Sequence, residues 1–381
     1  MSAAGIWSMQ SDQFLQQVAA VGLLPPRALT VAITSECNLN CEHCWLECSL
    51  PGAGASPVPV NTLKELVRQF IALAGEELCL TGGEPMTHPD WLELIQFCCR
   101  QPEVRCVVVQ TNATLLDAGT VKDLAQNGLG KLSFQVSLDG CSATTHDLIR
   151  GHGSLQRAIQ GLQALVAAGF GSRTTIAFTE MRHNFHEVPQ LLETAEQLGV
   201  AAVIGLPLVP CGSAERNPLT NLPTAEQYLA LLERFASDAE LRRRYRRLGR
   251  FSAIEWAKGA AASSHLGCRF LEKPYLSARG LLYPCALLQV DGYAGRDVYE
   301  RSLGAAILTV LPLWADLQRV SQARTTDLDC LTPCSGGRHC GGGCLARAYL
   351  PDRNLSARED RCELRRAVYA WSASSKIHGE W

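Results

Sequence analysis

The 381-residue chain contains no uninterrupted apolar run of the roughly 18 residues that a membrane-spanning helix needs. Its first 28 residues hold Trp7, Gln10, Asp12 and two prolines in place of a basic start and a long apolar core, so no leader is expected and the chain reads as cytoplasmic. An excess of one charge is missing too: 35 Lys plus Arg against 37 Asp plus Glu leave a net −2, which draws neither nucleic acid nor an anionic membrane. Cysteine is plentiful at 17, and in a reducing compartment cysteines more often bind metal or react than form disulfides. The length suits one large domain of roughly 200 to 250 residues plus a smaller one.

The cysteines fall in two groups. Cys37, Cys41 and Cys44 stand at C-x3-C-x2-C spacing on a loop that follows the apolar run Leu29 to Thr34. Such a run reads as a buried strand, and its C-terminal end is where α/β barrels place their chemistry. Three thiolates can hold three irons of a 4Fe-4S cube and leave the fourth free to chelate a small molecule. A zinc loop is the competing reading, although zinc prefers paired C-x2-C elements. With Trp45 following, the stretch resembles the radical S-adenosylmethionine (SAM) superfamily, whose motif is CxxxCxxC and an aromatic. The resemblance makes Cys37, Cys41 and Cys44 the catalytic, SAM-binding cluster ligands, with S-adenosyl-L-methionine as cosubstrate.

It recurs along the chain. A second strand, Leu78 to Leu80, runs into Gly82-Gly83-Glu84-Pro85, where two glycines allow a close backbone approach and relatives hold the amino group of SAM. The third, Val104 to Gln110, ends in Thr111-Asn112-Ala113, with alanine where the family shows glycine. The fourth, Leu132 to Leu138, leads into Ser137, Asp139 and Arg150, which the resemblance makes SAM contacts; a guanidinium can pair bidentately with the methionine carboxylate. A fifth, Thr174 to Phe178, and a sixth, Ala201 to Leu206, complete six strand-helix units. These predict a parallel sheet curled into a partial (β/α)6 TIM-type barrel over residues 27–212, after an N-terminal helical segment, residues 1–26, that caps its floor. Asn61-Thr62 is the expected cap of the helix after the cysteine loop, following a Pro/Gly/Ser-rich segment over 50–59. Cys79, Cys98, Cys99 and Cys106 read as small core hydrophobes, and Cys48, Cys141 and Cys211 receive no role. Residues 213–267 form a helical linker, helical over 223–262, in which the arginine run Leu241 to Arg250 reads as a solvated face or as a contact for an acidic peptide, a carboxylated small molecule or RNA.

The second group is Cys268, Cys285, Cys330, Cys334, Cys340, Cys344 and Cys362, within residues 268–381, a segment with too little regular apolar sequence to fold on burial alone. With Gly280 before Cys285, the order resembles the SPASM extension of radical SAM enzymes, a small iron-sulfur domain, although Cys330 and Cys334 are separated by three residues where the family has two. The resemblance implies two auxiliary 4Fe-4S clusters in interleaved order: Cys268, Cys285 and Cys344 on the first, and Cys330, Cys334, Cys340 and Cys362 on the second. It further implies an oxidoreductase that cleaves SAM reductively to a 5′-deoxyadenosyl radical and oxidatively modifies a peptide or protein side chain. The alternative substrate is a haem precursor. A flavodoxin or ferredoxin would supply electrons. A non-catalytic zinc or redox-sensing protein is the reading from a different class.

Overall fold

The computed structural model describes residues 3–46, 57–259 and 267–374; Cys48, residues 50–56 of the Pro/Gly/Ser-rich segment and residues 260–262 of the expected helical stretch lie outside them. Six strands, β1 (Ala28–Ala32), β2 (Glu77–Thr81), β3 (Cys106–Thr111), β4 (Leu132–Ser137), β5 (Thr174–Glu180) and β6 (Ala202–Pro207), pair in parallel and in sequence order. Helices join successive strands, so the expected partial α/β barrel is present. Strand alternation decides its two faces. Val107, Val109, Leu132, Phe134 and Val136 are buried beneath the helices, whereas Val108, Gln110, Ser133 and Gln135 stand half-exposed on the inner face. Cys98 is fully buried and Cys99 packs, partly buried, against the same core, whereas Cys79 and Cys106 are half-exposed in the strand alternation, so the reading of all four as core residues holds for Cys98 and Cys99.

The helix Val60–Ala72 buries Leu63, Leu66, Val67 and Phe70, the one-face spacing of an amphipathic helix. Burying the Phe70 ring contributes about 2 to 3 kcal/mol. Its expected cap is corrected: the N-cap is Pro59, whose ring fixes an extended entry and whose carbonyl accepts from the Leu63 amide at 3.1 Å.

Three short strands extend the sheet beyond the barrel. β7 (Gly249–Arg250) adds to β6, β8 (Tyr275–Leu276) lies parallel to β1, and β9 (Leu282–Tyr283) returns antiparallel to β8. The C-terminal module therefore shares the barrel's own sheet. Gly280, at φ 76°, turns the β8–β9 hairpin, where a side chain would strike the Tyr299 ring.

The largest departure follows that hairpin. Leu303–Asp327 is one 25-residue helix, and its buried Leu303, Ala306, Ile307, Leu311, Trp314 and Leu317 show that this module does build an apolar core. Its apolar residues cover several faces and Pro312 sits inside it, which hides the helical period in the sequence. By length and composition it could cross a membrane, yet Trp314 is fully buried and donates to the Tyr293 carbonyl at 2.7 Å. The N-terminal helix Ala3–Ala20 packs beside it and beside Val60–Ala72, burying Phe14 and Val18, so it braces the barrel's flank.

Helices Ala225–Ser237 and Ser252–Ala257 hold the C-terminal helix Cys362–Ser374. The arginine run lies mainly on the helix Ala239–Leu248, where Arg243, Arg244 and Arg247 all reach Glu196 at 2.8 to 3.1 Å. Three of its six arginines are thus engaged in ion pairs within the fold, with Glu240 and Glu193 adding to Glu196.

Candidate active site

Leaving β1, the chain passes Thr34 and Glu36 to Cys37, and the loop after β2 lies directly upon it. The Gly83 amide donates to the Thr34 carbonyl at 3.0 Å and the Glu84 amide to the Glu36 carbonyl at 2.8 Å. A Cβ on Gly82 would fall 2.3 Å from the Thr34 oxygen, and one on Gly83 2.1 Å from the Glu36 oxygen. The paired glycines are therefore required by the contact between these two loops, before any ligand is considered.

Glu84 is fully buried. Its carboxylate accepts from Thr111 Oγ1 at 2.8 Å, the Asn112 amide at 2.7 Å and the Met86 amide at 3.3 Å, tying the β2 loop to the end of β3. Burial raises it to about 7 against those donors. Pro85 opens the short turn Pro85–Thr87 that follows. Asn112 Nδ2 donates to Asn38 Oδ1 at 2.9 Å, and Asn38 donates to Thr114 Oγ1 at 2.8 Å, so the cysteine loop is stitched to β3 by neutral hydrogen bonds. Ala113 has φ 59°, a left-handed conformation that disfavours any side chain, and Gly161 leaves room beside it.

Behind Cys41 lies a buried charged group. Arg150 Nε donates to Asp139 Oδ2 at 2.6 Å, His43 Nε2 stands 3.1 Å from that oxygen, and the Thr179 amide donates to Oδ1 at 2.6 Å. Burial pushes the Asp139 carboxyl up, yet Arg150 and His43 hold it well below the usual carboxylate range. Arg150 Nη1 is 4.0 Å from Cys41 Sγ, which sets a permanent cation against that sulfur. Asp139 and Arg150 are thus engaged with each other and with the cysteine loop as a buried pair. Ser137 ends β4 on the inner face, half-exposed. His43 and Asn38 belong to this site and escaped the sequence reading; both lie between the motif cysteines, where the spacing draws attention to sulfur alone.

Burial raises Cys37 to about 12, with Cys41 and Cys44 among the groups pushing it further, and raises Cys41 to about 11 against Arg150. These thiols are costly to ionise empty-handed, and replacing their protons by iron relieves that cost. Among the described residues no three Cys, His, Asp or Glu side chains converge as a single metal ion requires. A cube asks instead for one thiolate at each of three corners, which buried, mutually interacting thiols with a cation alongside can provide. The residues fit the group. Trp45 leaves the loop to pack against Tyr275 of β8, ring centroids 5.9 Å apart, joining the cysteine loop to the C-terminal module.

In that module the thiols interact in two sets. Burial raises Cys285 to about 12, with Cys344 and Cys268 acting on it, and raises Cys344, with Cys268 again beside it. Burial likewise raises Cys340, near Cys362, and Cys362, near Cys330 and Cys334. Gly341, Gly342 and Gly343 all take positive φ before Cys344, and the Cys344 amide donates to buried Glu359 at 2.9 Å. Glu359 pairs with Arg361 and Arg365. Arg347 grips Asp360 through two bonds of 2.6 and 2.7 Å and donates to the Leu208 carbonyl, beyond β6, at 2.7 Å. Sequence treats such charges as surface, and all five of these side chains are buried or nearly so.

Residues 31–195 match the family described as the Radical SAM superfamily. Over 198 residues the chain is 35% identical to the AdoMet-dependent heme synthase of Methanosarcina barkeri, half of this chain and 53% of that protein, so it spans about half of that relative's length. It is 29% identical over 346 residues to the mycofactocin maturase MftC of Mycobacterium tuberculosis, covering 90% of this chain and 84% of that one. Among solved structures, Streptococcus suis SuiB bound to its precursor peptide SuiA superposes with a TM-score of 0.71 at 16% identity, over 93% of this chain and 80% of that chain, a likeness of fold.

Proposed function

The chain is an enzyme of the radical SAM superfamily, carrying the cysteine-rich C-terminal extension of its SPASM members, and from that premise we propose that it oxidatively modifies a side chain of a peptide or protein. The observation that carries the reading is the loop of Cys37, Cys41 and Cys44, with Cys37 buried, the loop locked to the β2 and β3 ends and Arg150 against Cys41. When bound, the 4Fe-4S cluster and SAM supply an electron and a 5′-deoxyadenosyl radical that abstracts a substrate hydrogen.

Cys37, Cys41 and Cys44 hold the cluster, and Arg150 offsets its negative charge. Asp139 and His43 fix Arg150 in place. Gly82, Gly83, Glu84 and Pro85 present their backbone to SAM, with Asn112 and Ser137 closing the adjoining strand ends. Cys268, Cys285 and Cys344 hold one auxiliary cluster and Cys330, Cys334, Cys340 and Cys362 a second, in domains divided near residues 27, 213 and 268. The fourth position of the first auxiliary cluster takes no cysteine. A flavodoxin- or ferredoxin-type donor delivers the electron.

Peptide is favoured by the barrel's inner face. None of the six strands contains Lys, Arg or His, so the strand faces offer no cation to the carboxylates of a tetrapyrrole. Leu115, Leu148, Leu206 and Leu219, on or beyond the ends of β3, β4 and β6, are exposed apolar side chains suited to a peptide's own. A haem precursor remains the second reading, supported by the relative from Methanosarcina barkeri.

The test is anaerobic reconstitution with SAM and a strong reductant. Methionine and 5′-deoxyadenosine should form, and replacing Cys37, Cys41 and Cys44 together by alanine should abolish both. Undiminished cleavage in that triple variant would end the assignment.

A further inference from the structure

The last turns of the helix Leu303–Asp327 bond to backbone beside the C-terminal cysteines, at Cys268 of the first set and at Gly342, which lies two residues from Cys340 of the second set and two from Cys344 of the first. Ser321 Oγ accepts from the Cys268 amide at 2.7 Å, and one turn later Arg324 Nη2 donates to the Gly342 carbonyl at 2.7 Å, two residues before Cys344. The chain then leaves the helix and reaches Cys330. Arg324 is only 4% exposed, and its remaining bonds run from Nη1 to the carbonyls of Leu355 at 2.5 Å and Ala357 at 2.8 Å.

All three partners are neutral. Among the described residues no carboxylate forms an ion pair with Arg324, whereas Arg347 has Asp360, and Arg361 and Arg365 share Glu359. A buried cation without a countercharge is costly, so its presence calls for an anion that the polypeptide alone does not supply at contact distance. Burial lowers the guanidinium's hold on its proton, and Cys268, Glu359, Cys344 and Cys330 act in the opposite sense. Those three sulfurs come from both cysteine sets.

We propose that Arg324 is a shared countercharge between the two auxiliary clusters, stabilising the reduced form of each and so raising both reduction potentials. The inference rests on the reading that the two cysteine sets hold clusters. Net charge and hydrogen bonding around a cluster set its potential, and a fixed positive charge in a poorly solvated site favours the more negative, reduced state. Arg324 is a positioning residue in this sense: it touches neither substrate nor SAM.

The experiment compares wild type, Arg324→Gln and Arg324→Lys after anaerobic reconstitution, by iron and sulfide content and by potentiometric titration followed with EPR. Gln should shift the auxiliary potentials to lower values, leave that of the Cys37, Cys41 and Cys44 cluster in place, and be largely rescued by Lys, which keeps the charge but not the three-carbonyl fork. If the Gln chain loads poorly, loading becomes the readout. A charge role then predicts more iron in the Lys variant than in the Gln variant, and equal losses would show a latch and overturn the proposal. Full wild-type loading with unmoved potentials in the Gln variant would overturn the countercharge alone. A wild type with a single cluster would overturn the ligand sets, and the countercharge with them.

Discussion

Around Cys37, Cys41 and Cys44 the chain is gripped chiefly by backbone and neutral groups: the Gly82-Gly83 contact with Thr34 and Glu36, and the Asn38–Asn112 bond, leave one buried ion pair behind the loop. Around Cys330 to Cys362 the grip comes from charged side chains, with Glu359, Arg361, Arg365 and Arg324 reaching across three consecutive positive-φ glycines. The first arrangement is fixed by shape, which does not depend on an occupant. The second balances buried charges and is balanced fully only with anions among them. The barrel site should therefore keep its form when empty, and the module should not.

Stripping the metal from anaerobically prepared protein is the strongest way to break this contrast. Amide protection across residues 328–362 should fall toward that of an unfolded segment, while β1 to β4 stay protected. Equal loss in both regions would erase the distinction. Arg347→Ala comes next. It leaves Asp360 largely buried without its partner and the Leu208 carbonyl without its donor, and should cost about 3 to 5 kcal/mol in denaturant unfolding. Arg347→Lys should recover only part, because lysine cannot reproduce the two-pronged contact.

On the barrel side, Gly83→Ala tests shape directly. The added methyl must displace the Glu36 carbonyl beside Cys37, which should cost about 1 to 3 kcal/mol and slow 5′-deoxyadenosine formation, both measurable in the reconstituted enzyme. The smallest effect has the opposite sign. Ala113→Gly relieves a left-handed alanine and should raise stability by about 0.5 to 1 kcal/mol, read as a shift in the unfolding midpoint.

The strands and the cysteine loop were legible in the sequence because β1 to β4 each bury a regular apolar face and the loop lies where such a strand must end. The helix Leu303–Asp327 was not, since a helix packed on several sides carries no single stripe and Pro312 reads as a break. The cap at Pro59 was missed because Asn61 and Thr62 are the better capping types, while the proline's fixed geometry won locally. Arg324, Arg347 and Glu359 were invisible for a further reason. Sequence gives a charge but not its burial, and burial is what turns these three from surface residues into part of the site.

The pairing of β8 with β1 sets a schedule for the newborn chain. β1 carries the cysteine loop, and one of its two edges is covered by residues 275 and 276, some 240 positions later. At the roughly 5 to 20 residues per second of synthesis, that edge waits on the order of 10 to 50 s for its neighbour, a bare strand flanked by reactive thiols. Only then does the strand that leads into Cys37 gain a neighbour on both of its edges.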